Sequence, residues 1–261
     1  MRWVALVVVL AGCVPKADDE ALIVFAAASM TDVAHRLAET HERETGQPVR
    51  VSIGATSTLV RQIEACAPVH VLLAPDDGWV KRLLGEGRLE SADHIAEGRL
   101  AVIIPTSAEP WESFRRLIEV ERLALADPAH VPAGRFAKSA LEGAGLWEEV
   151  EPRVIPLPHV RAALAAVETG KADAAIVYAS DLTVSSRVRE ATVWPDSLQP
   201  DITFACASVG AAPSWTADRF CHHSVDLGTG FARIEAVAVD DSLRGDQRLG
   251  PVLSDPCRDS G

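Results

Sequence analysis

FAAASMTD, residues Phe25–Asp32, joins an apolar run to a stretch with helical periodicity, and a serine stands at the junction. The run ALIVFAAA (21–28) is typical of a buried strand, and MTDVAHRLAETHERETG (30–46) has apolar residues near helical spacing and ends in a glycine. Backbone N–H groups at a helix start lack intrahelical partners and attract anions. Ser29 therefore either caps the helix or donates its O–H to a ligand, and this stretch alone leaves both interpretations open.

The alternation of strand and helix continues along the chain. PVRVSIGA, STLVRQIEACA and PVHVLLAP follow in strand–helix–strand order, and the rhythm restarts after about residue 100 with GRLAVIIP and ERLALADP. Such a βαβ rhythm implies a mostly parallel sheet that helices cover on both faces. We therefore expect an α/β protein of two lobes, each a mostly parallel sheet flanked by helices.

Three more predicted helices begin where a strand ends. Thr56 precedes the helix LVRQIEA, Ala133 follows Pro132 at the start of GRFAKSAL, and Val160 opens RAALAAVE. In open α/β sheets, ligands bind at the carboxyl ends of strands, so two facing lobes would bring these starts and Ser29 onto one small ligand. Hydroxyls and main-chain N–H groups suit an anion that needs only donors. Phosphate near neutral pH keeps a proton and needs an acceptor, so sulfate-, molybdate- or tungstate-like anions are favoured.

Composition and motifs exclude several function classes. The net charge of −12 argues against nucleic acid as a partner. The sequence contains no G-x-S-x-G, H-E-x-x-H or P-loop motif, so we expect no catalysis. The adjacent Cys221 and His222 invite a metal interpretation, but neighbouring residues do not share a helix face and no partner pair has finger-like spacing.

The first residues, MRWVALVVVLAGC, predict export. Arg2 precedes an apolar run that is too short to span a bilayer, which is typical of a signal peptide. The run ends in LAGC, which resembles the bacterial lipobox, where the signal is cut before a cysteine that is then lipidated. We expect a signal peptide over residues 1–12 and a lipid anchor at Cys13; the alternative is an ordinary signal with an unrelated cysteine.

Four segments together resemble the periplasmic molybdate-binding proteins of ABC importers. They are FAAASMTDV, ATSTLVRQIEACAPVHVLLAPDDGWV, LALADPAHVPAGRFAKSALEGAGLW and VRAALAAVETGKADAAIVYASD, and they occur in the order and spacing of that family over roughly residues 21–203. The resemblance implies a type II periplasmic-binding-protein fold, whose two lobes close on the anion. It implies no cofactor, an ABC permease as the membrane partner, a monomer, and a place in the periplasm or cell envelope.

The resemblance also implies five ligand-binding positions. They are two hydroxyl residues of the first lobe, two backbone N–H donors and one tyrosine of the second: Ser29, Thr56, Ala133, Val160 and Tyr178. These residues would bind the oxygens of the anion, with no direct ligand to its metal. His159 replaces the usual aspartate and is expected to face water. Asp32, Asp127 and Asp181 lie near these positions and are expected to cap helices.

The end of the chain departs from the family pattern. After DITFACASVGAAP no clear strand–helix alternation follows, which indicates either a frameshifted or a diverged end. We expect a linker over residues 13–20, a first lobe of 21–98 with 201–261, and a second lobe of 99–200, with the tail from about 205 atypical and incomplete. The alternative function is a lipoprotein of this fold that binds another small oxyanion, such as sulfate, or no longer serves transport.

Overall fold

Two five-stranded sheets form the framework of the protein. The computed structural model describes residues 21–76, 78–210 and 214–222, so the predicted signal peptide, Cys13 and the tail from 223 onward lie outside the described residues. The first sheet contains β1 (Leu22–Ala27), β2 (Val49–Gly54), β3 (Val71–Asp76), β4 (Leu89–Gly98) and β10 (Ile202–Val209). The second contains β5 (Leu100–Pro105), β6 (Leu123–Ala126), β7 (Val154–Leu157), β8 (Ala174–Tyr178) and β9 (Val188–Glu190).

Helices connect the strands and cover the sheets. They are α1 (Thr31–Thr45), α2 (Thr56–Glu64), α3 (Trp79–Gly85), α4 (Pro132–Gly143), α5 (Trp147–Val150), α6 (Val160–Glu168) and α7 (Ser214–Cys221). None of the helices in the described part of the chain has the length and hydropathy that a bilayer-crossing helix needs.

Each sheet has three parallel strands and two further strands. In the first sheet, with the order β2-β1-β3-β10-β4, β1 pairs in parallel with β2 and β3, whereas β10 runs antiparallel to β3 and β4. In the second sheet, with the order β7-β6-β8-β5-β9, β6 pairs in parallel with β7 and β8, whereas β5 runs antiparallel to β8 and β9. The predicted α/β fold is confirmed, and its sheets are mixed around a parallel centre.

The apolar run of β1 is explained by burial on both faces of the first sheet. Leu22, Val24 and Ala26 pack in a core with residues of α1, while Phe25 and Ala27 pack in the opposite core with residues of α2 and α3. A strand that is covered on both faces reads as a continuous apolar run rather than as an alternating one.

The chain passes between the sheets along two adjacent segments. β4 ends at Gly98 and β5 begins at Leu100, and the return runs through residues 191–201. The Gln199 side chain accepts from the Leu100 N–H at 2.8 Å and donates to the Leu100 carbonyl at 2.9 Å, so the two segments are bonded to each other. Beside them, the Phe204 ring packs edge-on against the Tyr178 ring, with centroids 5.3 Å apart.

The segment after Phe204 forms regular structure as far as His222. β10 continues to Val209, and α7 places Ala217 and Phe220 in the core beside α1. A disulfide joins Cys206 of β10 to Cys221 of α7, so Cys221 is not available as a metal ligand. The expectation that no strand–helix alternation follows residue 213 was therefore wrong for residues 214–222. The described residues also contain no group of three or more metal-ligating side chains.

Candidate ligand-binding site

Four helix starts meet between the two sheets. Ser29 lies in a short 3₁₀ helix, Ala28–Met30, directly after β1, and Thr56 is the first residue of α2 after β2. From the second sheet, Ala133 is in the first turn of α4 and Val160 is the first residue of α6. The first N–H groups of a helix have no intrahelical partner, so each start offers backbone donors to the space between the sheets.

The five residues predicted as ligand contacts line one small cavity. Ser29, Thr56, Ala133, Val160 and Tyr178 all border the same small cavity, whose free volume is about 10 Å³. All five are buried, with exposed fractions of 1–4%. The cavity therefore lies between the sheets, with two of its five predicted contacts from the first sheet side and three from the second.

The hydroxyl groups of Ser29 and Thr56 are not used as helix caps. The residue before the 3₁₀ helix is Ala27, the residue before α1 is Met30 and the residue before α2 is Ala55, and none of these helix starts has a side-chain cap. Of the two interpretations that the sequence leaves open for Ser29, capping of the following helix is therefore wrong. Ser29 is instead one of the residues that line the cavity.

A close approach of backbone to backbone sets the position of α4. A Cβ atom on Gly134 would lie 2.0 Å from the Ala126 carbonyl oxygen at the end of β6, far inside van der Waals contact. Only glycine allows the first turn of α4 to pack this closely on the strand end. Pro132 suits the same turn because its missing N–H would have no helical partner. Together these residues place Ala133 in the lining of the cavity.

His159 lines the cavity and caps α6. Its Nδ1 accepts from the Ala162 N–H at 3.1 Å. Burial, followed by the charge of Arg161, lowers the pKa of His159 below its usual value. A neutral ring whose Nδ1 accepts carries its proton on Nε2, so His159 adds one more uncharged donor. The expectation that His159 faces water was wrong: the ring is half-buried, and the signal that identifies it is its position directly before the helix.

Apart from His159, the described residues that line the cavity include no acidic or basic side chain. Asp127 accepts from the Ala129 N–H at 2.9 Å, in the turn before α4, so the expectation that it caps a helix was wrong. Asp181 accepts from the Tyr178 N–H at 3.1 Å and from Arg161 Nε at 2.5 Å. Asp32 is not a side-chain cap, because it pairs with Arg161 at 2.8 Å. None of these three carboxylates borders the cavity, so none is placed to accept a proton from a ligand.

Asp181 is the one fully buried carboxyl group beside the site. Burial raises its pKa to about 6, although Arg161 and the Tyr178 N–H both favour the charged form. The Asp181 carboxylate thus holds the backbone at the end of β8, where Tyr178 lines the cavity.

A larger groove lies nearby between α3 and α4. Its lining includes Lys81 and Lys138 together with Glu142 and Asp201. Lys138 pairs with Glu142 at 3.7 Å and packs over the Trp147 ring. Charges of both signs line this groove, which distinguishes it from the uncharged cavity.

Two sheets with a small cavity between them, lined by helix starts, are typical of a binding protein for a small solute. The chain belongs to the family described as bacterial extracellular solute-binding protein, whose model matches residues 22–222. This is a family of solute-binding transport proteins and not an enzyme family.

Curated relatives and solved structures agree with this assignment. The chain is 32% identical over 213 residues to the molybdate-binding protein ModA of Escherichia coli K12. This alignment covers 78% of this chain and 83% of the relative. It is 33% identical over 187 residues to ModA of Haemophilus influenzae, and this alignment covers 68% of this chain and 74% of the relative. The fold matches the periplasmic molybdate-binding protein of Azotobacter vinelandii with a TM-score of 0.67 at 20% identity, over 77% of this chain and 90% of that one.

Proposed function

We propose that this protein is the extracytoplasmic solute-binding component of an ABC importer and that it binds molybdate or tungstate in the cavity between its sheets. The observation that carries the proposal is the cavity lining, which offers hydroxyl and backbone N–H donors and no charged side chain. The similarity to two curated molybdate-binding proteins supports the same ligand class.

Each of the five residues has a role that follows from its place in the fold. Ser29 and Thr56 donate through their hydroxyls and their backbone N–H groups. Ala133 and Val160 donate through their backbone N–H groups, and the four helix starts add a favourable dipole for a dianion. Tyr178 donates through its phenolic O–H. The protein binds the oxygens of the anion, so the metal of molybdate acquires no protein ligand.

The missing acceptor favours a fully deprotonated anion over phosphate. Hydrogen phosphate needs a partner that accepts its proton, and Asp32, Asp127 and Asp181 already accept hydrogen bonds from Arg161 or from backbone N–H groups. In a buried site, a proton without an acceptor is a costly unmade hydrogen bond. Molybdate, tungstate and sulfate have no proton near neutral pH, so they avoid this cost.

Binding is coupled to closure of two lobes, residues 21–98 with 201–261 and residues 99–200. Only the closed arrangement brings the donors of both sheets to one anion, so the ligand favours that state. The closed, loaded protein then docks on a membrane permease as a monomer. A lipid anchor at Cys13 would hold it in the cell envelope, and mass spectrometry of the mature N-terminus tests that anchor.

Titration calorimetry of the mature protein against molybdate, tungstate, sulfate and phosphate tests the function. We expect tight binding of molybdate and tungstate and no binding of phosphate. Ser29→Ala removes a hydroxyl bond to a desolvated dianion and should weaken binding by about 1.5–3 kcal/mol; Tyr178→Phe should weaken it less.

Ser208→Ala is the matched control, because Ser208 is also a buried serine of the first sheet but does not line the cavity. Its affinity should equal that of the wild type. Equal affinities in the wild type, Ser29→Ala and Tyr178→Phe would contradict the proposed site. Preference for sulfate over molybdate would instead change the ligand and leave the site in place.

A further inference from the structure

One arginine connects the helices that open on either side of the cavity. Arg161 follows Val160 in the first turn of α6. Its Nη2 lies 2.8 Å from Oδ2 of Asp32, in the first turn of α1 and 129 residues away in sequence. Its Nε lies 2.5 Å from Oδ1 of Asp181, which follows β8. The Asp32 contact crosses from one sheet's helices to the other's, whereas the Asp181 contact stays on the second sheet side.

Arg161 is poorly placed to bind the anion itself. It does not line the cavity, and its guanidinium lies between two carboxylates that together offset its charge. Arg161 instead contacts two carboxylates that lie next to predicted ligand-binding residues. Asp32 lies three residues after Ser29, and Asp181 accepts the backbone N–H of Tyr178. Arg161 thus connects the start of α1, next to Ser29, with the end of β8, which carries Tyr178.

The two ion pairs of Arg161 respond differently to opening. If the sheets separate, Asp181 moves with Arg161 and keeps the guanidinium compensated. Asp32 lies on the first sheet side, so it moves away from Arg161. Because Asp181 already orders the arginine side chain, the contact with Asp32 loses less conformational entropy when it forms than an ordinary surface pair does. The Asp32–Arg161 contact therefore stabilises the closed arrangement and not the open one.

We propose that the Asp32–Arg161 pair is a positioning contact that holds the two sheets closed over the bound anion and slows its release. The inference rests on the proposed function, because it assumes that an anion is bound by closure. The pair does not touch the ligand, and it forms after the anion has entered. It therefore acts on the dissociation rate and leaves the association rate nearly unchanged.

Substitutions of Asp32 test this contact, because the Asp32 side chain is 54% exposed and its loss leaves Arg161 paired with Asp181. Stopped-flow tryptophan fluorescence measures the association and dissociation rates of molybdate. Asp32→Asn should speed release about two- to fivefold, the range for a partly exposed ion pair. Asp32→Lys sets like charges against each other and should speed release on the order of tenfold. Asp32→Glu keeps a carboxylate within reach and should restore slow release.

Glu39→Gln and Glu39→Lys are the matched controls, since Glu39 is an exposed acid on the same helix. Both should release molybdate at the wild-type rate. If Asp32 only stabilises α1, its variants will lower the urea midpoint without changing release, and the proposal is overturned. Release from the Asp32 variants at the rate of the Glu39 controls also overturns it. A wild-type protein that binds neither molybdate nor tungstate refutes the proposed function instead, and the closing contact fails with it.

Discussion

Replacing Gly134 by alanine should move a ligand donor without touching any side chain of the site. The new Cβ would lie 2.0 Å from the Ala126 carbonyl oxygen and 2.8 Å from two backbone carbon atoms, so no side-chain rotation relieves the overlap. Real Cβ contacts are at least about 3.0 Å, so the first turn of α4 must shift by about 1 Å. That shift lengthens a typical 2.9 Å bond from the Ala133 N–H beyond the range of a hydrogen bond.

The loss of one hydrogen bond to a charged ligand sets the size of the effect. Such a bond contributes about 1.5–3 kcal/mol, so the affinity for molybdate should fall about 10- to 150-fold. The strain in the folded protein should also lower the free energy of unfolding by about 1–3 kcal/mol. Titration calorimetry measures the first quantity and urea unfolding the second.

Gly143→Ala is the control, because a Cβ at that position, the other end of α4, has no neighbour within 4 Å. There alanine should leave affinity unchanged and raise stability slightly, since it favours the helix. If Gly134→Ala binds molybdate as well as Gly143→Ala does, either the Ala133 N–H is not a ligand donor or the packing of α4 on β6 is looser than the structure indicates. A variant that loses stability but keeps its affinity would point to the first explanation.

Two further predictions concern stability. The disulfide between Cys206 of β10 and Cys221 of α7 closes a loop of 15 residues. Replacing both cysteines by alanine should therefore lower the free energy of unfolding by about 3 kcal/mol. An unchanged urea midpoint would show that α7 is held by packing alone. Asp181, which faces Arg161, Asp32 and the Tyr178 N–H, has a folded pKa of about 6 against 3.8 for the free group, so the folded state binds the extra proton. Its contribution to stability is therefore present below about pH 4 and is lost as the pH rises to 6, with a slope of up to about 1.4 kcal/mol per pH unit. Asp181→Asn should remove this slope from the urea-unfolding profile, and parallel profiles of wild type and variant would argue against the raised pKa.

The sequence predicted the parts of the fold that depend on local pattern. β1 and its neighbours are apolar because both faces are covered, and this pattern is visible in the residues themselves. β4 lacks such a pattern: it lies at the edge of its sheet, and of its ten residues only Leu89 and Ala96 are buried hydrophobic ones. The antiparallel position of β10 depends on pairing with strands more than 100 residues away, which no local pattern encodes.

The helix α7 was missed, although a signal for it was present. Ala217, Phe220 and Cys221 have the spacing of one helix face, and Ala217 and Phe220 are fully buried. The segment is short, and its two flanking stretches gave no periodicity that would have supported a helix. One apolar turn that ends at a cysteine, in a chain predicted to be exported, was the available signal for the helix and its disulfide.

The candidate site also contains residues that local sequence pattern predicts and residues that it does not. Ser29 and Thr56 carry hydroxyls at strand-to-helix junctions. Such a hydroxyl predicts either a helix cap or a ligand donor, and the recurrence of these junctions along the chain favours the donor. Ala133 and Val160 are proposed to contribute only backbone N–H groups, which residue type does not reveal. Their places at predicted helix starts, together with the family resemblance, indicated them. The Asp32–Arg161 contact joins residues 129 apart and has no sequence signal; Asp32 alone is typical of an ordinary acid at a helix start.

The limit of sequence reasoning here is the relation between the two sheets. Each half of the site follows from a parallel pair of strands whose carboxyl ends lie at one edge: β1 with β2, and β6 with β7. Neither pair determines how the other faces it. That relation depends on the crossing segments bonded through Gln199, on Phe204 against Tyr178, and on the Asp32–Arg161 pair. These contacts join distant parts of the chain, and they also decide how readily the sheets separate. The residues that local pattern cannot predict are therefore the ones expected to control ligand release.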